Sequence, residues 1–356
     1  MGRLALPTGQ RPQRFLAKQG NVAYASGNTN KQDISQTDYL TSLDVISVQT
    51  VTETTTAPSG TTSGAGAYAT LQNVQVTVNG GRAPFSLPGY HTNVYNQVWN
   101  HDYVDSLATN PIVTNATNNW KNHLRIPLTV DPIAEKGSWY TGDTQLNLSA
   151  KITGNPAANI WQTAATATIG GGWDIYGEKF SAPAPDEPGG WLDEISFYKQ
   201  TELYTSSALS NGTTSITLET DQDYIRVILI FYTGTAVGSG VTFAPADGLY
   251  TNLSLILNDK FSIIDTLTED KVRFEMLQTY TRLVSAGTAV LDFMRLVPPT
   301  RRDILPTDPD STKRLQLKIA STSASNSVDV ITETVVDSQF AEKWARAAAA
   351  KAGSKR

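Results

Sequence analysis

The 356-residue chain contains no cysteine, so neither disulfides nor thiolate metal sites contribute to its stability or chemistry. Its three histidines, His91, His101 and His123, match no zinc-binding spacing. The longest strongly apolar run, residues 227–232, is far too short to span a bilayer. These absences argue against a disulfide-stapled, zinc-dependent or membrane-spanning protein and leave packing and assembly as the sources of stability.

Motifs for nucleophiles, phosphates and export are missing as well. Residues 60–64 are not Gly-x-Ser-x-Gly, and residues 170–172 are a glycine run without a following Lys-Ser/Thr or a helix start. Both are interpreted as loops. The first seven residues lack the apolar core of an export signal, and Leu6 does not suit N-myristoylation. We therefore expect a protein that is soluble when made, in the cytoplasm.

One acidic cluster around a tryptophan could suggest sugar hydrolysis, which needs two carboxyl groups beside an aromatic platform. The cluster lies in a Pro/Gly-dense stretch, where acids are usually solvated and a tryptophan can cover a domain edge. We prefer this second interpretation, so no catalytic, cofactor-binding or metal-binding residue is predicted. The cluster consists of Asp186, Glu187, Trp191, Asp193 and Glu194.

The residues that are abundant indicate antiparallel sheet. Thr, Val, Ser, Gly and Asn dominate, and short alternating runs are separated by Gly/Pro/Asn/Asp clusters. The net charge of −5 is unevenly distributed, because residues 1–31 carry five basic side chains and no acid. Residues 337–356 carry five basic side chains and two acids. The sequence thus predicts an all-β sandwich protein with an acidic body between two basic ends.

An internal repeat decides the predicted architecture. Residues 73–79 read Asn, alternating apolar positions and Asn, followed by a turn and Phe85; residues 252–258 have the same order, followed by Phe261. The two segments are offset by 179 positions before the turn and by 176 after it, if Phe85 matches Phe261. We expect two copies of one unit with unequal loops, and Val76 to superpose on Leu255.

The repeat continues downstream in both halves. Val94 and Val98 have helical spacing in the first half, as do Val272, Met276 and Tyr280 in the second. The segment 266–269 is a Ser/Thr-x-x-Glu capping signature for the second helix. Three pairs of strands should then correspond: residues 124–128 with 290–294, 145–152 with 314–319, and 162–169 with 328–336.

These observations predict five segments: a basic N-terminal arm at residues 1–32, a first β-sandwich at 33–181, a linker at 182–190, a second β-sandwich at 191–336, and a basic amphipathic C-terminal helix at 337–356. Two tandem sandwiches, each with a helix before its late strands, resemble the double jelly-roll major capsid proteins. The likeness is to those of tectivirus-like icosahedral bacteriophages with an internal membrane. This resemblance implies that each sandwich is an eight-stranded jelly roll.

The resemblance implies a virion protein that forms homotrimers. Each trimer would be a pseudo-hexagonal block, and these blocks would tile an icosahedral capsid over the membrane. Its implied partners are further copies of itself, minor capsid, penton or spike proteins, and internal membrane lipids, with no direct sequence-specific nucleic acid binding. The alternative is a carbohydrate- or receptor-binding β-sandwich such as a phage spike. Such a protein would carry aromatic residues clustered in the loops at one end.

The basic ends are the candidate inner-face, membrane-facing segments. Phe340 and Trp344 would lie on one face of the predicted C-terminal helix, with the basic end towards anionic headgroups. The alternative is a helix that packs on its own subunit. The candidate residues are Arg3, Arg11, Arg14, Lys18, Phe340, Lys343, Trp344, Arg346, Lys351, Lys355 and Arg356.

Overall fold

A computed structural model describes most of the chain. The described residues are 14–53, 64–99, 103, 117–129, 138–143, 146–160, 167–182, 197–220, 222–280, 284–293, 305, 307 and 314–337. Within them the chain forms two β-sandwiches, one in each half. No helix among these residues is both long and apolar enough to cross a membrane.

The described residues of sandwich 1 form ten strands and one α-helix. Alternating burial in strands such as β9, where inward side chains are buried and Lys151 is partly exposed, is what a sheet packed on one face dictates. A 3-10 helix, Gly66–Thr70, precedes β4. The elements are β1 Arg14–Ala23, β2 Thr29–Asp33, β3 Tyr39–Glu53, β4 Leu71–Val78, β5 Arg82–Leu87, α1 Gly89–Trp99, β6 Thr117–Trp120, β7 His123–Pro127, β8 Trp139–Tyr140, β9 Leu148–Gly154 and β10 Ala167–Phe180.

Sandwich 2, as far as its residues are described, has nine strands and one α-helix. Strand β13 is buried over almost its whole length because both of its faces are covered, as its continuous apolar run predicts. The elements are β11 Phe197–Ala208, β12 Gly212–Leu218, β13 Asp223–Thr233, β14 Ala244–Pro245, β15 Asn252–Leu257, β16 Phe261–Thr268, α2 Glu269–Tyr280, β17 Thr288–Asp292, β18 Leu315–Ser321 and β19 Asn326–Asp337.

Both sandwiches have the strand order of a jelly roll. In sandwich 1 one sheet runs β1-β10-β3-β7 and the facing sheet runs β2-β9-β4-β5. In sandwich 2 the corresponding orders are β11-β19-β13-β17 and β12-β18-β15-β16. The short strands β6 and β8 extend along β3, and β14 adds to β13. Two sheets of four principal strands in this order make each half a jelly roll.

The internal repeat predicted from the sequence is confirmed by the order of the strands, but the interpretation of residues 170–172 as a loop is wrong, because this glycine run lies inside β10 and pairs with β3. β4 and β15 occupy the same place, as do β7 and β17, β9 and β18, and β10 and β19. The two helices also correspond: α1 follows β5, α2 follows β16, and these two strands hold the same place in their sheets. Helix α2 begins at Glu269, and the backbone N–H of Lys271 donates to Thr268 Oγ1 at 3.4 Å. The helix cap is therefore Thr268 and not Thr266, which lies in β16.

The two hairpins share one asparagine cap. Asn79 and Asn258 both adopt positive φ, 50° and 51°, which asparagine tolerates better than most residues. Asn79 Oδ1 accepts from the backbone N–H of Asn147 at 2.8 Å, and Asn258 Oδ1 accepts from that of Arg314 at 3.1 Å. The Asn79 side chain thus fixes the start of β9, and the Asn258 side chain fixes the start of β18, the neighbouring strand in each sheet.

The expected match of Phe85 with Phe261 is wrong. Val76 pairs with Phe85, and its counterpart Leu255 pairs with Ile264, so the offset is 179 positions on both sides of the turn. Phe85 is buried, whereas Phe261 lies beside the turn and is 68% exposed. The repeated Phe-Ser pair misled the alignment, because sequence identity outweighed the inward-outward alternation that fixes register. The two hairpin turns are therefore equal in length, not unequal.

The N-terminal arm is also wrong in its second half, because residues 14–33 form β1 and β2 of sandwich 1. β1 pairs with β10 from Arg14 to Ala23, and β2 pairs with β9. Their polar sequences hid them: both are edge strands, and edge strands carry charged and polar side chains that protect against aggregation. The linker from residue 183 onward and the predicted C-terminal helix after Asp337 lie outside the described residues.

Candidate assembly surfaces

Helix α1 lies between the two sandwiches and holds them together. His91 Nε2 is 2.7 Å from Asp329 Oδ2 on β19, and both side chains are fully buried. Gln97 Nε2 donates to Ser285 Oγ at 2.9 Å, again across the junction. The Tyr90 ring packs edge-on against Phe243, with centroids 5.2 Å apart. One face of α1 is therefore occupied by sandwich 2.

A buried charge network forms the centre of this junction. The Tyr95 hydroxyl of α1 donates to Glu333 Oε1 at 2.8 Å, and Lys199 Nζ lies 3.3 Å from the same oxygen. Arg226 donates from Nη1 to Glu333 Oε2 at 2.7 Å and from Nε to Asp292 Oδ2 at 2.9 Å. Two cations and two carboxylates thus balance, which is the condition for keeping charges out of water.

The network also reaches α2, because the Tyr280 hydroxyl donates to Asp292 Oδ2 at 2.9 Å. Burial lowers the pKa of Lys199 to about 8, although the charge of Glu333 acts in the opposite direction. Burial alone would raise the pKa of Glu333, but Arg226 and Lys199 outweigh it, so this pKa is below its usual range. The network therefore favours an ionised Glu333 at neutral pH.

The sandwiches are also joined through their sheets. β5 of sandwich 1 pairs in parallel with β11 of sandwich 2, Phe85 opposite Thr201 and Ser86 opposite Glu202. This short pairing makes one continuous sheet from strands of both jelly rolls. The junction thus has two parts, a helix on a sheet face and a strand beside a strand.

Helix α2 occupies the place of α1 in sandwich 2, but its outer face is exposed. Val272, Met276 and Tyr280 are buried against its own sandwich, as their spacing predicts. Phe274 and Leu277 point away from it and are 53% and 44% exposed. A cavity of about 220 Å³ opens beneath this helix, lined by Glu275, Met276, Gln278, Thr279, Tyr280, Val290 and Asp292.

Seven large hydrophobic side chains are exposed in the described part of the chain, and they lie on two sets of elements. The first set, the β1 surface, lies on β1 and the outer face of β3 and consists of Phe15, Leu16 and Val48. The second set, the α2 surface, lies on β16 and α2 and consists of Phe261, Ile263, Phe274 and Leu277. Grouped apolar side chains in water mark interaction sites more often than scattered ones do.

Sequence reasoning missed both surfaces. In α2 a signal was present, since Phe274 and Leu277 form a second apolar stripe opposite Val272 and Met276. In β1 the apolar pair Phe15 and Leu16 lies in a segment that had been interpreted as an arm. A surface helix with apolar residues on two faces needs two neighbours, and sandwich 2 supplies one of them.

Of the predicted membrane-facing residues, the structure places two. Arg14 and Lys18 both lie in β1, where Lys18 Nζ is 2.9 Å from Asp174 Oδ2 and Arg14 Nη1 is 3.8 Å from Glu178 Oε1. The paired carboxylate raises the pKa of Lys18 through a side-chain hydrogen bond. The other nine candidates lie outside the described residues. The same holds for the acidic cluster around Trp191.

The aromatic side chains that the structure describes lie mainly inside the sandwiches. Trp120 and Trp173 are fully buried, as are Tyr68, Tyr90 and Tyr95. The described residues contain no group of three or more His, Asp or Glu side chains that could hold a metal ion. The loop-borne aromatic cluster that a lectin-like spike would present is not seen in the described loops.

No protein-family model and no curated relative matches the sequence. Solved structures do match, along nearly the whole chain. The major capsid protein of Sulfolobus turreted icosahedral virus has a TM-score of 0.71 at 14% identity, over 93% of this chain and 98% of that one. This chain has the double jelly-roll fold.

Two further double jelly rolls show the same likeness. The major capsid protein of bacteriophage PM2 has a TM-score of 0.59 at 15% identity, covering 92% of this chain and 99% of that one. The PBCV-1 protein VP54 has a TM-score of 0.61 at 12% identity, covering 93% and 96%. The resemblance inferred from the predicted architecture and the internal repeat is thus confirmed at the level of fold.

Proposed function

We propose that this double jelly roll is a viral major capsid protein that assembles as homotrimers into an icosahedral shell. The observation that carries the proposal is the match of both sandwiches, in one chain and over their full length, to capsid proteins of viruses. Two similar sandwiches per chain give a trimer six similar sides, so one protein can fill hexagonal positions in a shell. The role is structural rather than enzymatic.

The position of the aromatic residues supports this role over that of a carbohydrate-binding spike. Large aromatic side chains such as Trp120 and Trp173 stabilise the sandwich interiors. In the described part of the chain, the exposed large apolar side chains lie on strands β1, β3 and β16 and on helix α2 rather than in loops. A spike would instead present its binding residues at one end.

The test is assembly of the purified full-length chain. Light scattering should give a trimer at micromolar concentration, because obligate interfaces usually bury more than about 2,000 Å² in total and persist on dilution. Electron microscopy of the same sample with its virion partners should show pseudo-hexagonal blocks. A chain that stays monomeric at micromolar concentration would contradict the proposal.

We further propose that the basic ends face the inside of the shell and meet anionic lipid. The sequence supports this, since the last twenty residues carry Phe340 and Trp344 with five basic side chains. Lys18 and Arg14 are less suited to it, because both already have carboxylate partners in the sheet. Minor capsid or spike proteins would complete the shell.

Flotation with anionic liposomes tests the lipid contact. Full-length assemblies should float and assemblies lacking residues 338–356 should float less, because the truncation removes the basic and aromatic side chains but leaves β19 intact. Neutral liposomes are the control. Equal binding of both forms to anionic vesicles would contradict the lipid contact and leave the capsid role standing.

A further inference from the structure

We propose that the α2 surface of one copy docks onto the β1 surface of the next copy, repeating between chains the junction that α1 and β5 make within one chain. This inference rests on the proposed function, which requires copies of this chain to associate, and it names the side chains that do so. Each chain has one surface of each kind, so the contact is head-to-tail and can close into a ring.

The internal junction supplies the first argument. β5 and α1 of sandwich 1 contact β11 and β19 of sandwich 2. The strands and helix that correspond by topology are β16 and α2 on one side, and β1 and β10 on the other. Within the described chain, β16 and β1 are each hydrogen-bonded to one neighbouring strand only. The chain therefore forms this junction once, and the elements that would form a second one, β16 with α2 and β1 with β10, do not meet within the described chain.

The strand registers identify the positions that should meet. Glu333 pairs with Thr201 and Arg226 in sandwich 2, and Tyr176 pairs with Lys18 and Asp44 in sandwich 1. On the next strand of each sheet, Arg226 pairs with Asp292 and Asp44 pairs with Arg125. Arg125 and Asp292 differ by 167 positions, as do the first residues of the corresponding strands β9 and β18, which supports matching Glu333 with Tyr176.

Lys199 therefore corresponds to Leu16, since each lies two residues before a matched position on its strand. Leu87 of β5 and Leu267 of β16 hold matched places opposite Val74 and Leu253, so an irregularity between Leu253 and Leu255 changes the offset from 179 to 180 before the helices begin. Tyr95 lies eight residues after Leu87, and Glu275 lies eight residues after Leu267, so Tyr95 corresponds to Glu275. The contact of Lys199 Nζ with the Tyr95 hydroxyl, 2.9 Å within the chain, thus predicts that Leu16 of one copy lies near Glu275 of another.

Exposure supplies the second, independent argument. On the face of α1 that contacts sandwich 2, Tyr90, His91 and Gln97 are buried. The same face of α2 carries Phe274 and Leu277 in water. Six of the seven exposed large hydrophobics of the described chain lie on β1, β16 and α2, the elements that the internal repeat pairs, and the seventh, Val48, lies on β3 beside β10.

Charge gives a smaller preference at the rim of the proposed contact. β1 carries Arg14 and Lys18, both about half exposed, with Glu178 and Asp174 of β10 beside them. Helix α2 carries Glu269 and Asp270 in its first turn, together with Lys271 and Arg273. By the register above, Ile264 would lie opposite Lys18, so the exposed Asp265 next to it would meet this basic strand.

Because the chain has no cysteine, crosslinking can test the contact without background. A Leu16→Cys chain mixed with a Glu275→Cys chain, treated with a short thiol-reactive bismaleimide, should give a covalent dimer that contains one of each. Neither variant alone should crosslink. A chain with both cysteines should give products up to the size of the closed ring. In the control, a Lys31→Cys chain, whose cysteine would be exposed on β2, is mixed with the Glu275→Cys chain and should give no covalent dimer.

Substitution provides the second test. Phe274→Glu with Leu277→Glu should reduce the assembled fraction at micromolar concentration at least tenfold and leave circular dichroism unchanged, because both side chains are exposed. Lys31→Glu is the matched surface control. If the native chain assembles but the double variant assembles equally well and the mixed cysteines do not crosslink, this inference is overturned and the capsid role remains. A native chain that never assembles overturns both.

Discussion

Helices α1 and α2 have the same place in two sandwiches of the same topology, yet they differ in what covers them. Every described side chain of α1 from Gly89 to Val98 is buried, whereas only Val272, Met276 and Tyr280 are buried in α2. α1 has a sandwich on each side, and α2 has one. The difference teaches that a repeated fold does not repeat its surfaces: the environment of each copy decides which positions become core.

The largest expected difference concerns buried charge. Glu333→Ala leaves Lys199 without its carboxylate at the junction, so it should cost about 3 to 5 kcal/mol of stability. Glu178→Ala in sandwich 1 removes the partner of the part-exposed Arg125 and of the buried Ser42 hydroxyl, and should cost less, about 1 to 2 kcal/mol. Urea unfolding of both variants measures the contrast. Similar costs would mean that the two charge clusters are equally solvated.

The helices themselves should differ next. Val94→Ala removes buried apolar volume from α1 and should cost about 2 kcal/mol. Phe274→Ala removes a larger side chain from α2 but should change the stability of the isolated chain by under about 0.5 kcal/mol, since the ring is exposed. Denaturation is measured at concentrations below assembly. A large cost for Phe274→Ala would show that this ring already packs within its own chain.

Each sandwich also contains a buried lysine whose pKa burial lowers to about 8, Lys179 in sandwich 1 and Lys199 in sandwich 2. The unfolded lysines keep their protons up to their usual pKa of 10.5, so between about pH 8 and 10.5 the unfolded state binds more protons. Stability should therefore rise with pH across this window, by at most about 1.4 kcal/mol per pH unit per lysine.

Lys179→Met and Lys199→Met should each reduce the rise of stability with pH by the contribution of the lysine that is replaced. The measurement is the change in urea midpoint between pH 8 and 10, compared between each variant and the native chain. The two lysines differ in their partners: Lys179 donates to Ser35 and Thr37 oxygens, and Lys199 faces Glu333. Lys199→Met should thus cost more at pH 7. Unchanged slopes in both variants would contradict the lowered pKa values.

The smallest effect should be the same in both halves. Asn79→Ala and Asn258→Ala each remove a backbone cap and place alanine at positive φ, so each should cost about 1 kcal/mol. The sites are in different sandwiches, so the double variant should show the sum within about 0.5 kcal/mol. Thermal unfolding of the three variants checks this. Unequal costs would indicate that the hairpins are equivalent in geometry but not in energy.

The sequence by itself determined the class of fold, the two-fold repeat and the strands with clear alternation. Inward residues such as Val76 and Leu255 recur with period two because one face of each strand must be buried, and this signal is local. The same is true of Val272, Met276 and Tyr280 on α2. Local patterns therefore located most elements of the core and their order.

Only the tertiary structure decided which edges and outer faces are covered. β1 and β2 have little apolar alternation, since as edge strands they depend on β10 and β9 for their hydrogen bonds. Register at Phe85 and Ile264 follows from cross-strand pairing, which no single strand encodes. The burial of Glu333 and the exposure of Phe274 depend on whether a second sandwich lies opposite, and contacts between residues more than a hundred positions apart leave no local periodicity.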